Sequence, residues 1–104
     1  MPWKTLSASL SIGVTTEGWN LAEPPPAGMD EPRVFVFEVA FASPFAMTPV
    51  VNLGLTGFDM DQRDSARIKL KTTDITTAGF KVEISTWHET RVYGVECNWF
   101  AIGT

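Results

Sequence analysis

The sequence holds one cysteine, Cys97, and one histidine, His88, among 104 residues. A lone cysteine excludes an intrachain disulfide and any multi-thiolate metal site. A thiol–imidazole pair would need these two residues to meet, and nothing in their spacing brings them together. GxSxG, HExxH and glycine-rich phosphate loops are missing as well, so nucleophilic catalysis is poorly served and no catalytic residue is expected. Nor does any stretch approach the roughly 18 uncharged apolar residues of a transmembrane helix, so membrane insertion is not expected. Basic excess is also absent. Eight Lys and Arg stand against twelve Asp and Glu, giving a formal charge of −4, which argues against a nucleic-acid partner. The opening MPWKTLSASL lacks the uninterrupted apolar segment of a signal peptide. The location is therefore left open between the cytoplasm and the cell exterior, reached by a non-classical route or as a processed form.

What is present is the composition of one folded domain, taken as residues 1–104. Hydrophobic residues make up 44% and charged residues 19%, which fits neither a disordered tail nor a membrane span. The hydrophobic period is two. In Val34 to Phe41 (VFVFEVAF), Phe35, Phe37, Val39 and Phe41 share one face, while Val34, Val36, Glu38 and Ala40 share the other. Gly79 to Thr86 (GFKVEIST) turns Phe80, Val82 and Ile84 inward. Val92 to Ile102 places Tyr93, Val95, Cys97, Trp99 and Ala101 on one face. Side chains alternate sides along a strand, so this pattern is that of half-buried strands. Val50 to Leu55, Arg67 to Thr72 and a weaker run through Leu6, Ala8, Leu10 and Ile12 bring the count to six antiparallel strands. Proline-rich Pro24 to Gly28 and the interruptions at Ser43, Pro44, Thr48 and Pro49 separate them. Short strands with turn signals between them make an all-β sandwich or small barrel.

Three features bear on function before any relative is considered. Val34 and Val36 make an apolar outer face, covered either by the chain's own loops or by another copy of the chain. Asp59, Asp61 and Asp64 have a spacing that invites a metal test, but the glycine and terminal glutamate of an EF-hand are missing. A solvated acidic loop pairing with Arg63, with a short helical turn in Asp59 to Ser65, is the expectation; no metal or cofactor is. In Thr86 to Tyr93 (TWHETRVY), Trp87 and His88 fall where the strand pattern ends. They read either as ordinary turn residues or as a sugar site, in which an aromatic face stacks on the C–H face of a pyranose.

The combination of Phe41 to Val51 (FASPFAMTPVV), Asp59, Arg67, GFK at 79–81, TWH at 86–88, Val92-Tyr93 and Trp99 resembles the H-type lectin domain. That family includes the snail agglutinins and the C-terminal domain of the discoidins. The likeness runs from about Gly18 to Ile102. It implies a six-stranded antiparallel β-sandwich assembled as a homotrimer. It further implies a multivalent agglutinin that binds glycans with terminal N-acetylgalactosamine or galactose between protomers. The implied sugar contacts are Gly28, Asp30, Arg67, Trp87, His88 and Tyr93. Gly28 and Asp30 stand where the snail pattern reads PGRD and this chain reads AGMD. Arg67 corresponds to a donor to the axial 4-hydroxyl, Trp87 and His88 to an aromatic–imidazole pair, and Tyr93 to an aromatic from the adjacent subunit. The indole and imidazole of one copy are thus expected to face the carboxylate and guanidinium of its neighbour. Snail-family cysteines are replaced by Ala46 and Ile84, so a trimer would hold by packing alone. The alternative is a trimeric attachment domain, of phage-tail or adhesin type, with sugar binding lost or altered.

Overall fold

Alternation of apolar and polar side chains predicts six strands, and the computed structural model, which describes residues 2–23, 25 and 31–104, contains six. They are β1 (Lys4–Gly13), β2 (Arg33–Ala40), β3 (Val50–Met60), β4 (Lys69–Thr73), β5 (Gly79–Thr86) and β6 (Val92–Gly103). Two three-stranded antiparallel sheets form, in the orders β1-β6-β3 and β2-β5-β4. Each sheet has one apolar face, and the two faces bury each other. Among the described residues there is no helix, and hence none long enough to cross a membrane.

The core follows the expected phase. Phe35, Phe80, Val82 and Ile84 come from one sheet, and Val51, Val95, Cys97, Trp99 and Ala101 from the other. Fully burying side chains of this size stabilises by about 1.5–3 kcal/mol each relative to exposure. Phe41 anchors one end, with ring centroids 5.1 Å from Phe45, 5.7 Å from Phe80 and 5.7 Å from Trp99. At the other end, Trp19 packs 5.1 Å from Phe35 and donates its indole N–H to the Val92 carbonyl at 2.9 Å. Leu21, in the same stretch between β1 and β2, is wholly buried, and its carbonyl accepts the Val92 amide. Gly13 allows β1 to close against β6 there, since a Cβ would lie 2.4 Å from the Tyr93 carbonyl oxygen.

Some boundaries differ from expectation. β3 runs on to Met60, through irregularities between Leu55 and Gly57 and between Asp59 and Met60. An inserted residue breaks strict alternation without ending the ladder, so Asp59 lies in a strand. The expected helical turn does not form: residues 61–68 are turn and coil. β4 begins at Lys69, leaving Arg67 in the preceding loop. Of the two readings for Val34 and Val36, cover by the chain's own loops does not hold. They are 43% and 45% exposed on the outer face of β2, beside Ser85 and Glu83 of β5.

Candidate functional site

The antiparallel registers collect six strand ends at one pole of the sandwich. Arg33 lies opposite Thr86, Lys69 opposite Ser85, Met60 opposite Val92 and Gly13 opposite Gly94. The β5–β6 turn, with Trp87 and His88, therefore projects beside the loop that joins β3 to β4.

Two buried threonines stitch these segments together. Thr86 continues the inward phase of Phe80, Val82 and Ile84, and its hydroxyl donates to the Arg67 carbonyl at 2.5 Å. Thr90 donates to the Ser65 carbonyl at 2.6 Å and accepts from Arg67 Nη1 at 2.9 Å. Buried hydroxyls are costly without partners, so each has its place in the network. Arg67 Nη1 also bonds Asp64 Oδ2 at 3.1 Å. The Asp64 carboxyl is held below its ordinary range, first by the Ser65 backbone amide and next by Arg67, with His88 adding a smaller electrostatic effect. Arg67, Asp64, Thr90 and His88 thus gather within a single chain. The guanidinium faces its own chain's imidazole turn, and no neighbouring copy is needed to bring it there.

His88 is exposed and adopts φ 56°, a left-handed conformation uncommon for a non-glycine residue. Its carbonyl and that of Thr90 accept hydrogen bonds from Arg33 Nη2 at 2.8 and 2.6 Å, while Arg33 Nη1 donates to the Glu23 carbonyl. Burial lowers the Arg33 pKa, nearby Glu89 opposes that effect, and Arg91 adds to it. A guanidinium remains protonated under such conditions. Trp87 is half-buried at the start of the turn.

Tyr93 belongs to the same pole, but its hydroxyl donates to Asp61 Oδ2 at 3.1 Å. Asp61 is also chelated by the Arg63 side chain and accepts the Arg63 amide at 2.9 Å. The Arg63 hydrogen bonds, foremost among the causes, hold the Asp61 carboxyl far below the usual carboxylate range. A depression of about 350 Å³ lies here, lined by Asp61, Arg63, Asp64, Glu89 and Arg91. Because Asp61 and Asp64 are taken by arginines and Asp59 sits in β3, the three do not form a metal cluster. Among the described residues no group of three or more metal-ligating side chains occurs. Cys97 lies mid-strand in the core, where burial pushes its thiol up.

Of the sequence-derived candidates, Arg67, Trp87, His88 and Tyr93 meet at this pole; Gly28 and Asp30 lie outside the described residues. The sequence reading assigned no role to Arg33, Thr86 or Thr90, and placed Asp61 and Asp64 in a solvated acidic loop pairing with Arg63 rather than in the site. Phase could have found Thr86, which follows Ile84 at the interval of two. Chemically, the pole offers a guanidinium, an imidazole, carboxylates and an indole, a set suited to hydrogen-bonding and stacking on a polyhydroxylated ligand.

The H-type lectin domain profile matches residues 36–102. A relative from Fuscovulum blasticum, described as ATP synthase subunits region ORF 7, is 38% identical over 73 residues, covering 70% of this chain and 64% of its own length. The structure of wild-type discoidin II from Dictyostelium discoideum shares the fold with a TM-score of 0.80 and 23% identity, over 98% of this chain and 37% of that one. A native structure of recombinant discoidin II gives a TM-score of 0.78 and 24% identity, over 96% of this chain and 36% of that one. The chain thus spans under two thirds of the Fuscovulum relative and little more than a third of the discoidin II chains. With the profile running from within β2 to the end of β6, and the same sandwich in both neighbours, this chain belongs to the H-type lectin domain family.

Proposed function

We propose that the chain is a carbohydrate-binding lectin that holds terminal N-acetylgalactosamine or galactose non-covalently, without turnover. The observation that supports this most is the Arg67–Thr90 hydrogen bond, which fixes a guanidinium beside the Trp87–His88 turn. In such a site Arg67 donates to the axial 4-hydroxyl that marks galacto-sugars. Trp87 offers apolar contact, and His88 bonds a hydroxyl or the acetamide. Asp30 and the Gly28 amide are assigned the remaining hydroxyls by family likeness.

One shallow pocket binds weakly, since its hydrogen bonds largely replace those to water. We assign avidity to a homotrimer whose sites are completed between copies. The exposed Val34 and Val36 supply apolar surface for its contact. One observation favours the second reading, a trimeric attachment domain. Tyr93, expected to close a neighbour's pocket, already spends its hydroxyl on Asp61.

Retention on an immobilised N-acetylgalactosamine column tests the proposal. The parent chain is expected to bind and to elute with free sugar, at a solution mass of three subunits. Trp87→Ala and Asp30→Ala should each abolish retention while leaving that mass unchanged. A parent chain that passes through unretained, or two mutants that behave like the parent, contradicts the assignment.

A further inference from the structure

We propose that Arg33 is a positioning residue for the sugar site, an inference that rests on the lectin reading. Its guanidinium donates to three backbone carbonyls from two separate segments: Glu23, and His88 and Thr90 at 2.8 and 2.6 Å. Glu23 is where the chain enters the segment that carries Gly28 and Asp30, and Arg33 is where it leaves, as the first residue of β2. One planar group therefore ties Glu23 and the start of β2 to the turn that presents Trp87 and His88. A fork of fixed donors holds acceptors on two segments at set positions, whereas an ammonium is a point charge on a flexible stem. The φ of 56° at His88 is a conformation that persists only where the surroundings over-determine it. Two of the three hydrogen bonds from Arg33 end on this turn. The side chain touches no sugar in this scheme. It sets the position of the turn assigned the ring contacts.

The test uses the full chain and Arg33→Lys, which keeps the charge and removes the fork. Affinity for N-acetylgalactosamine is expected to fall about tenfold, the weight of one charge-assisted hydrogen bond. The His88 imidazole signals, unambiguous because His88 is the single histidine, should shift along with the Trp87 indole N–H. Amide signals of Phe41, Phe45 and Trp99 should stay in place. Binding within about twofold of the parent, or displacement that reaches those distant signals, overturns the proposal. The parent protein gives a second readout that needs no variant. Its Arg33 Nη protons should appear as resolved, slowly exchanging signals, and rapid averaging contradicts the clamp. Trp87→Ala separates the two possible failures. If it binds like the parent, the sugar site lies elsewhere and the role of Arg33 falls with it. If it loses binding while Arg33→Lys keeps it, only the clamp is wrong.

Discussion

Arg33, Arg63 and Arg67 stand at one pole, and their partners give each a different task. Arg67 and Arg63 hydrogen-bond carboxylates, whereas the hydrogen bonds of Arg33 to described residues go to backbone carbonyls. The two carboxylates so engaged titrate abnormally. Asp61 and Asp64 both have folded pKa values depressed below those of the unfolded chain. A group of that kind contributes stability that is fully present above its unfolded value, about 4, and lost as pH falls through the lower folded one. Both groups are solvent-accessible, so screening keeps the contribution small. The carboxyl carbon shifts of Asp61 and Asp64 are therefore expected to stay in their ionised positions as pH drops from 6 to about 4, where an aspartate in a short peptide is half protonated. A midpoint at the peptide value for either residue contradicts the network. These pairings were only partly legible in the sequence. The pairing of Asp61 with Arg63 was expected from proximity in the chain. Asp64 with Arg67 and Tyr93 with Asp61 depend on β3 running to Met60 and on β4 starting late, and neither local propensity nor charge order specifies those.

The β5–β6 turn is the element on which the site depends, and Thr90 is its internal fastener. Thr90 both donates to Ser65 and accepts from Arg67 while almost fully buried. Replacing it with the isosteric valine leaves both partners without it. The expected loss is about 1–3 kcal/mol of unfolding free energy in a urea titration, with reduced sugar affinity as Arg67 loosens. A loss below about 0.5 kcal/mol would show that water replaces the hydroxyl without cost. At this scale the sequence was most informative. Period-two alternation marked β2, β5 and β6 most clearly and β1 more weakly, because each sheet buries one face and a side chain on the wrong face would be exposed to water. It was least informative where alternation is interrupted: the β3 irregularities between Leu55 and Gly57 and at Asp59 shift the phase. Buried threonines also escape such a reading. Their polarity suggests an outward position, and only the inward phase of β5 marks Thr86 as an exception.

At the scale of the whole molecule, the fold has two poles with different contents. One is closed by the aromatic set around Phe41, Phe45, Phe80 and Trp99. The other carries the arginine network, the exposed imidazole and the depression beside Tyr93. Aromatic packing at the first lets polar, strained and half-buried groups accumulate at the second without threatening the core. The outer face of β2, with Val34 and Val36 exposed near the second pole, is the surface to which we assign trimer contact. Family likeness, rather than periodicity, directed attention to this pole. Trp87 and His88 alone were equally readable as plain turn residues.

The most direct measurement is a titration of N-acetylgalactosamine into isotopically labelled protein, followed residue by residue. Saturable shifts are expected at the Trp87 indole N–H, the His88 imidazole and Arg67, with the signals of Phe41, Phe45 and Phe80 unmoved. No shift at millimolar sugar, or shifts confined to the Phe41 pole, would contradict the placement of a sugar site at the β5–β6 turn.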